Sequence, residues 1–291
     1  MAAGAEWVDG AVWEVSRPKG GSRVPGVSMA GFGDRGMTPE GLRLIPHPGV
    51  TVALLFGGGS VSVADEFGRE LSGSLVAGLG FGAARLRRAV DFQCLQVRLS
   101  PAIARAVLGP VATELAGSMV MLDDLWGREA PRIGEQLAGA SSWDERFALT
   151  DNWLAQRLAT GTPPSSEVSW AWRQIVDSRG QLRIDELAVE LGWSRKRLWS
   201  RFGSQLGVPP TRAASLVRFD HAAHELVAGH NAARVAADTG YADQSHLHRD
   251  VMAFTGTTPA LLRDEPFLTI DDLAWPATIQ PAVTPKIQPV G

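Results

Sequence analysis

The chain has 291 residues, 45% of them hydrophobic and 20% charged, with a formal net charge of −3. That length leaves room for two domains with separate cores, and the composition is ordinary for a soluble globular protein. No apolar run approaches the ~20 residues of a membrane span, the N-terminus lacks the basic patch and apolar core of a secretory signal, and one cysteine, Cys94, forbids an internal disulfide, so a cytoplasmic protein is expected.

In chain order, the first elements predicted are strands. Residues 12–15, 51–56 and 61–64 are short apolar or alternating runs, and 75–81 and 92–99 continue the series. Gly57-Gly58-Gly59 can turn one strand into the next, and Gly68 marks a further hairpin. Strands at this spacing predict a small barrel or sandwich. The stretch 16–41, rich in Gly and Pro, predicts a long loop.

At Ser100-Pro101 the pattern changes to helix, because serine caps and proline fits the first turn; residues 101–109 are the predicted helix. Ser142-Trp-Asp-Glu145 has capping-box spacing and opens a helix carrying Phe147, Leu149, Leu154 and Leu158. Pro163-Pro164 and their neighbours predict a linker at 161–167. Five prolines from Pro266 to Pro289 predict an irregular tail at 265–291, with Phe267, Leu268 and Trp275 available to dock on the fold.

Between linker and tail one pattern occurs twice. The first copy runs Ile184-Asp-Glu-Leu187-Ala188-Val-Glu-Leu-Gly192-Trp193-Ser194, and the second runs Ala232-Ala-Arg-Val235-Ala236-Ala-Asp-Thr-Gly240-Tyr241-Ala242. Each reads as a short helix, a glycine turn that needs positive φ, and a second helix with an inward leucine, Leu198 or Leu247. That is the form of a helix-turn-helix, present in tandem. A continuous helix is predicted over 211–228 between the copies, and at 1.5 Å per residue it spans ~27 Å.

These residues resemble the DNA-binding domain of the AraC/XylS family of transcription regulators. The resemblance covers 168–264. It is carried by Leu187-Ala188, Gly192, Ser194, Leu198, Phe202, Gly207, Pro209 and Pro210, by Arg218-Phe219 and Ala222, and by Gly240 through Leu247 to Arg249, Phe254, Gly256, Thr258 and Pro259. Val251, Ala232 and Arg183 depart from the family's usual Phe, larger aliphatic and capping Ser or Thr. The N-terminal part, 1–160, is similar to the sensor half of some members, a cupin-like barrel followed by helices. The match rests on Leu44-Ile45-Pro46, on Val97 to Pro101 and on Leu122 to Trp126. The resemblance implies an α+β chain: a β-rich sensor or dimerisation domain, then an all-α domain with two helix-turn-helix units joined by a long helix.

Residues 165–264 hold 12 Lys and Arg against 11 Asp and Glu, so DNA binding must come from local placement of charge. The helix after Ser194 carries Arg195, Lys196, Arg197 and Arg201 without an acidic residue. Lys196 and Ser200 flank Leu198, positions that in the family fold face the groove and read base edges, while Arg195, Arg197 and Arg201 are expected on phosphates. Gln244, Ser245, His248 and Arg249 are the equivalents in the second unit, where arginine suits guanine and glutamine suits adenine. Asp243 is expected to cap, His246 to pack or cap, and Arg218 either to brace the two units or to touch a phosphate.

The expected partners are double-stranded operator DNA, a candidate small-molecule effector, a second copy of the chain, and RNA polymerase if the protein is an activator. No cofactor, metal or membrane is expected. His221 and His224 have metal-ligand spacing without completing residues, and His47 alone cannot make a metal-dependent cupin site. Trp7, Trp13, Trp126, Trp143 and Trp153 could line a ligand pocket or fill the core. No enzyme is expected. The alternative from another class is a DNA-targeted alkylation-repair enzyme, but Cys94 lacks the Pro-Cys-His-Arg surroundings and the second cysteine that chemistry needs. A regulator whose N-terminal domain only dimerises is the other reading.

Overall fold

The computed structural model describes residues 13–275 apart from 35, 37, 39 and 40. Trp7, position 12 of the first expected strand and the tail beyond 275 lie outside the described residues.

The first half is antiparallel β-structure: β1 (Trp13–Ser16), β2 (Val27–Asp34), β3 (Arg43–Leu44), β4 (Val50–Phe56), β5 (Ser60–Ala64), β6 (Glu70–Ser72), β7 (Leu75–Ala77), β8 (Ala84–Val90) and β9 (Gln93–Leu99), with β10 (Met119–Met121) returning later. They form a six-stranded sheet ordered β1-β2-β9-β4-β7-β10 and a four-stranded sheet ordered β3-β8-β5-β6. Among the described residues the two ladders do not join into a closed barrel, so the barrel-or-sandwich expectation resolves to two separate sheets.

The register sets the layers. Val52 pairs with Val97 and Leu54 with Leu95, all at most 1% exposed, so alternation places these side chains on one face. The helix α4 (Trp143–Thr160) covers that face: Phe56 meets Trp143 edge to face at 5.8 Å, and a Cβ on Gly31 would fall 2.3 Å from the Trp143 ring. The glycine-rich composition of 16–41 predicts a loop, but β2 runs through it: Gly31 lies under an indole that a side chain would displace, so its glycine serves packing and not a turn.

Ahead of α4 come α1 (Pro101–Leu108), a 3-10 turn (Pro110–Thr113), α2 (Leu122–Trp126) and α3 (Glu129–Gly139). Ser100 caps α1 and Ser142 caps α4, accepting from Glu145 N at 3.2 Å. The Glu145 carboxylate turns back to Ser141, so the capping box is shifted by one residue. Trp13 and Trp126 are buried, and Trp143 and Trp153 pack on the core.

The second half is helical: α5 (Ser166–Asp177), α6 (Ile184–Glu190), α7 (Arg195–Leu206), α8 (Pro210–Val227), α9 (Ala232–Asp238), α10 (Gln244–Thr255), α11 (Pro259–Leu262) and α12 (Pro266–Ala274). The last corrects the expected irregular tail. Pro266 is tolerated at the first helical position, and Phe267, Leu268, Ile270 and Ala274 are buried.

The halves share contacts at several points. Arg43 Nε donates to Glu265 at 2.7 Å and its Nη1 to the Thr255 carbonyl at 3.1 Å. A Cβ on Gly207, at the end of α7, would fall 2.4 Å from the Thr113 carbonyl oxygen. On the six-stranded sheet's other face, Arg98 makes a two-pronged ion pair with Asp271 of α12, and its guanidinium lies 4.3 Å from the Trp275 ring centroid. Asp271 also lies 3.7 Å from His224 Nε2 on α8.

Candidate nucleic-acid interface

The two repeated patterns become two like units. In the first, α6 leads through Gly192 at φ +62° into α7; in the second, α9 leads through Gly240 at φ +77° into α10. Both glycines therefore hold the left-handed conformation that the turn requires. Polar side chains start each second helix: Ser194 accepts from Arg197 N at 3.2 Å, and Asp243 accepts from His246 N at 2.7 Å. Leu198 and Leu247 are fully buried at equivalent places, which turns the remaining faces outward.

Every side chain expected at DNA lies on an exposed face: Arg195, Lys196, Arg197, Ser200 and Arg201 on α7, and Gln244, Ser245, His248 and Arg249 on α10. The faces differ in charge. Four cations stand on α7, but Arg195 is met by Asp185 of α6 at 3.3 Å, an acidic neighbour that the helix's own sequence does not show. Arg195 also lies over Trp199 at 5.0 Å from the ring centroid, and Arg197 over Trp193 at 4.8 Å. These indoles extend the basic face and were not singled out from sequence, although the four-residue spacings Arg195/Trp199 and Trp193/Arg197 are a readable signal. On α10 Arg249 makes a long contact to the Ser245 carbonyl at 3.4 Å, and His246 turns inward against Tyr241 at 5.0 Å.

The helix α8 fixes how the units stand to each other. Asp250 of α10 accepts from Ser215 at 2.8 Å and faces Arg218 at 3.8 Å, while the Arg218 guanidinium lies 4.7 Å from the Tyr241 ring centroid. Arg218, left open between brace and phosphate contact, is a half-buried brace here. Phe219 of α8 stacks on Phe254 of α10 at 4.8 Å, and both are fully buried. Val251 is fully buried despite being smaller than the family's usual residue.

Cys94 is buried, and loss of solvation pushes its thiol up to about 12, against the thiolate that nucleophilic chemistry needs. His221 and His224 gain no third ligand: among the described residues no cluster of His, Cys, Asp or Glu could hold a metal.

Residues 187–265 match a family model described as a helix-turn-helix domain. No curated protein matches the chain. Among solved structures it is similar to an apo ToxT variant from Vibrio cholerae, at 10% identity over 84% of this chain and 99% of that one, with a TM-score of 0.48. It is also similar to Vibrio cholerae ToxT bound to an unsaturated fatty acid, at 9% identity, 82% and 95% coverage and a TM-score of 0.45. The C-terminal domain of AraT, a response regulator from Geobacillus stearothermophilus, is similar at 22% identity, with 35% and 87% coverage and a TM-score of 0.33.

Proposed function

We propose that this chain, a DNA-binding transcription regulator whose C-terminal domain belongs to the AraC family, reads two successive major-groove faces with α7 and α10 under the control of its β-rich half. The observation that carries this reading is the repetition itself. Two helices, each capped at its start and anchored by one fully buried leucine, present polar faces from units clamped to a single 18-residue helix. At 1.5 Å per residue α8 spans ~27 Å, a length suited to groove faces ~34 Å apart along the duplex.

On this reading Lys196 and Ser200 meet base edges from α7, and Arg195, Arg197 and Arg201 hold phosphates. Gln244, Ser245, His248 and Arg249 play these parts from α10. The unit at 168–264 is the DNA-binding domain. The unit at 1–160 receives a small molecule or a second copy of the chain. The protein works in the cytoplasm on operator DNA, and contacts RNA polymerase where it activates. Among the described residues no helix is long and apolar enough to cross a membrane.

Two variants separate reading from gripping. Arg249→Ala is expected to cost ~1–3 kcal/mol at the specific site and to relax preference at one base position. Arg195→Ala is expected to weaken binding to all sequences alike and lower the salt slope by about one unit, reduced to the extent that Asp185 already holds this cation. Binding to operator variants at two salt concentrations distinguishes them. A uniform, salt-sensitive loss for Arg249→Ala would rotate α10 in the groove. The boundary has its own test: a fragment of residues 163–265 is expected to fold and bind DNA at low salt, and an unfolded or non-binding fragment places the boundary elsewhere.

A further inference from the structure

We infer that a cleft between the second sheet and α3 binds a small organic cation with an apolar or aromatic body, and that this cation is the effector of the β-rich half. The inference rests on reading the protein as an effector-controlled regulator. The cleft measures about 860 Å³, within the range of small-molecule sites. It is not the space between the sheets. Val63 pairs with Leu71 and Leu86, and these three buried residues mark the sheet's inward face. Ser62 pairs with Ser72 and Arg88, so this row lies on the opposite face, and all three line the cleft.

Ser62 carries the observation that points to a ligand. It is 5% exposed, and its hydroxyl has no hydrogen-bond partner. A buried hydroxyl without a partner is costly, so the position gains when a bound molecule supplies one. The register with β8 shifts beside it, Ser62 pairing with Arg88 and Val63 with Leu86, so Arg87 is the extra residue of an irregularity of the kind found beside sites. The facing wall is a stripe of α3. Pro131, Gly134, Glu135 and Ala138, at helical spacing, all line the cleft, while Ile133 and Leu137 are buried. Leu55, Val61 and Met121 supply an apolar floor.

Charge selects the class. Glu70, Asp123 and Glu135 line the cleft with Arg88, and among the described residues none of these carboxylates has an ion-pair partner. Three carboxylates against one guanidinium attract a cation and disfavour an anion. Ser62 and Ser72 offer hydrogen bonds to an ammonium or an amide beside it.

The test uses the full chain with phenethylamine and benzyltrimethylammonium as probes, and phenylacetate as the charge-reversed control, read by calorimetry and thermal shift. At least one cation is expected to bind and raise Tm, and phenylacetate is not. Ala138→Trp, at an exposed helix position, fills the cleft and is expected to weaken cation binding at least tenfold. Ser62→Ala is expected to weaken an amine about threefold to tenfold, the worth of one hydrogen bond, without lowering the Tm of the free protein. A lowered Tm for the free variant would mean that the hydroxyl is structural and would overturn the assignment. Absence of cation binding, binding unchanged by Ala138→Trp, or preference for phenylacetate would overturn it equally. Operator binding with and without the probe separates the site from the reading beneath it. Cation binding lost in Ala138→Trp, with DNA affinity unmoved, keeps the site and removes effector control. DNA affinity that responds to a ligand equally in wild type and Ala138→Trp keeps effector control and removes the site.

Discussion

Arg98→Met is expected to destabilise the protein by about 3–5 kcal/mol, because it strands the Asp271 carboxylate without its main partner. Both side chains are largely removed from solvent, at 14% and 7% exposure. The double variant Arg98→Met/Asp271→Leu is expected to recover much of that loss, since matched apolar residues replace a buried pair at little cost. Urea unfolding of the four proteins of the cycle measures it. A loss below about 1 kcal/mol for Arg98→Met, typical of an exposed pair, would show that α12 does not hold the halves together.

The same cluster predicts a pH optimum. Burial raises the Asp271 carboxyl, but Arg98 and His224 outweigh it and hold the group well below the ordinary 3.8. Burial lowers His224, but Asp271 and Asp220 carry it up to about 10 from 6.5. Burial, then Arg98, pushes His47 well below 6.5, with Asp271 opposing and His224 adding to the shift. His224's contribution is complete below pH 6.5 and is lost as pH rises towards 10. His47 acts in the other direction: below 6.5 the unfolded chain takes up a proton that the folded chain refuses. Asp271's contribution is complete above 3.8 and falls away as pH drops through its depressed value. Stability from this cluster therefore peaks near pH 6.5. His224→Gln is expected to flatten the alkaline limb and, by easing the shifts of His47 and Asp271, to soften the acid limb to a lesser degree; an unchanged alkaline limb would contradict the assignment.

The second large effect lies between the reading units. Phe254→Ala and Phe219→Ala are each expected to cost about 3–5 kcal/mol, the transfer of a buried ring plus the cavity left behind. The rings stack at 4.8 Å, and Arg212 lies over Phe254 at 3.9 Å from its centroid, so neighbours on both sides lose contact. The double variant is expected to lose less than the sum, because the two deletions share one cavity. Operator binding should fall with either, since α10 loses its fixed stance on α8. By contrast Leu261→Ala, at an exposed position, is expected to stay within about 0.5 kcal/mol. Chemical denaturation beside operator binding checks both. Full stability in Phe254→Ala would mean that Asp250 and its partners orient α10 without the stack.

The tandem helix-turn-helix is legible from the residues alone, because its signals are local. Gly192 and Gly240 declare their turns, Ser194 and Asp243 cap the helices they precede, and Leu198 and Leu247 mark the inward faces, all within a few residues. The exposed candidates on α7 and α10 follow from the same periodicity. Features that depend on a partner far along the chain emerge only once the fold brings the segments together. β2 runs through a Gly- and Pro-rich stretch in which Gly31 makes room for the Trp143 ring. α12 was hidden among prolines until Arg98, 173 positions away, and α8 gave its apolar and acidic residues a place to dock. Asp185 beside Arg195, the pairing of the strands into two sheets, and the unpartnered hydroxyl of Ser62 facing α3 likewise arise when separate segments meet. Local backbone preference and helical period are written into neighbouring residues, whereas burial, charge pairing and a cleft are properties of surfaces brought together by the fold.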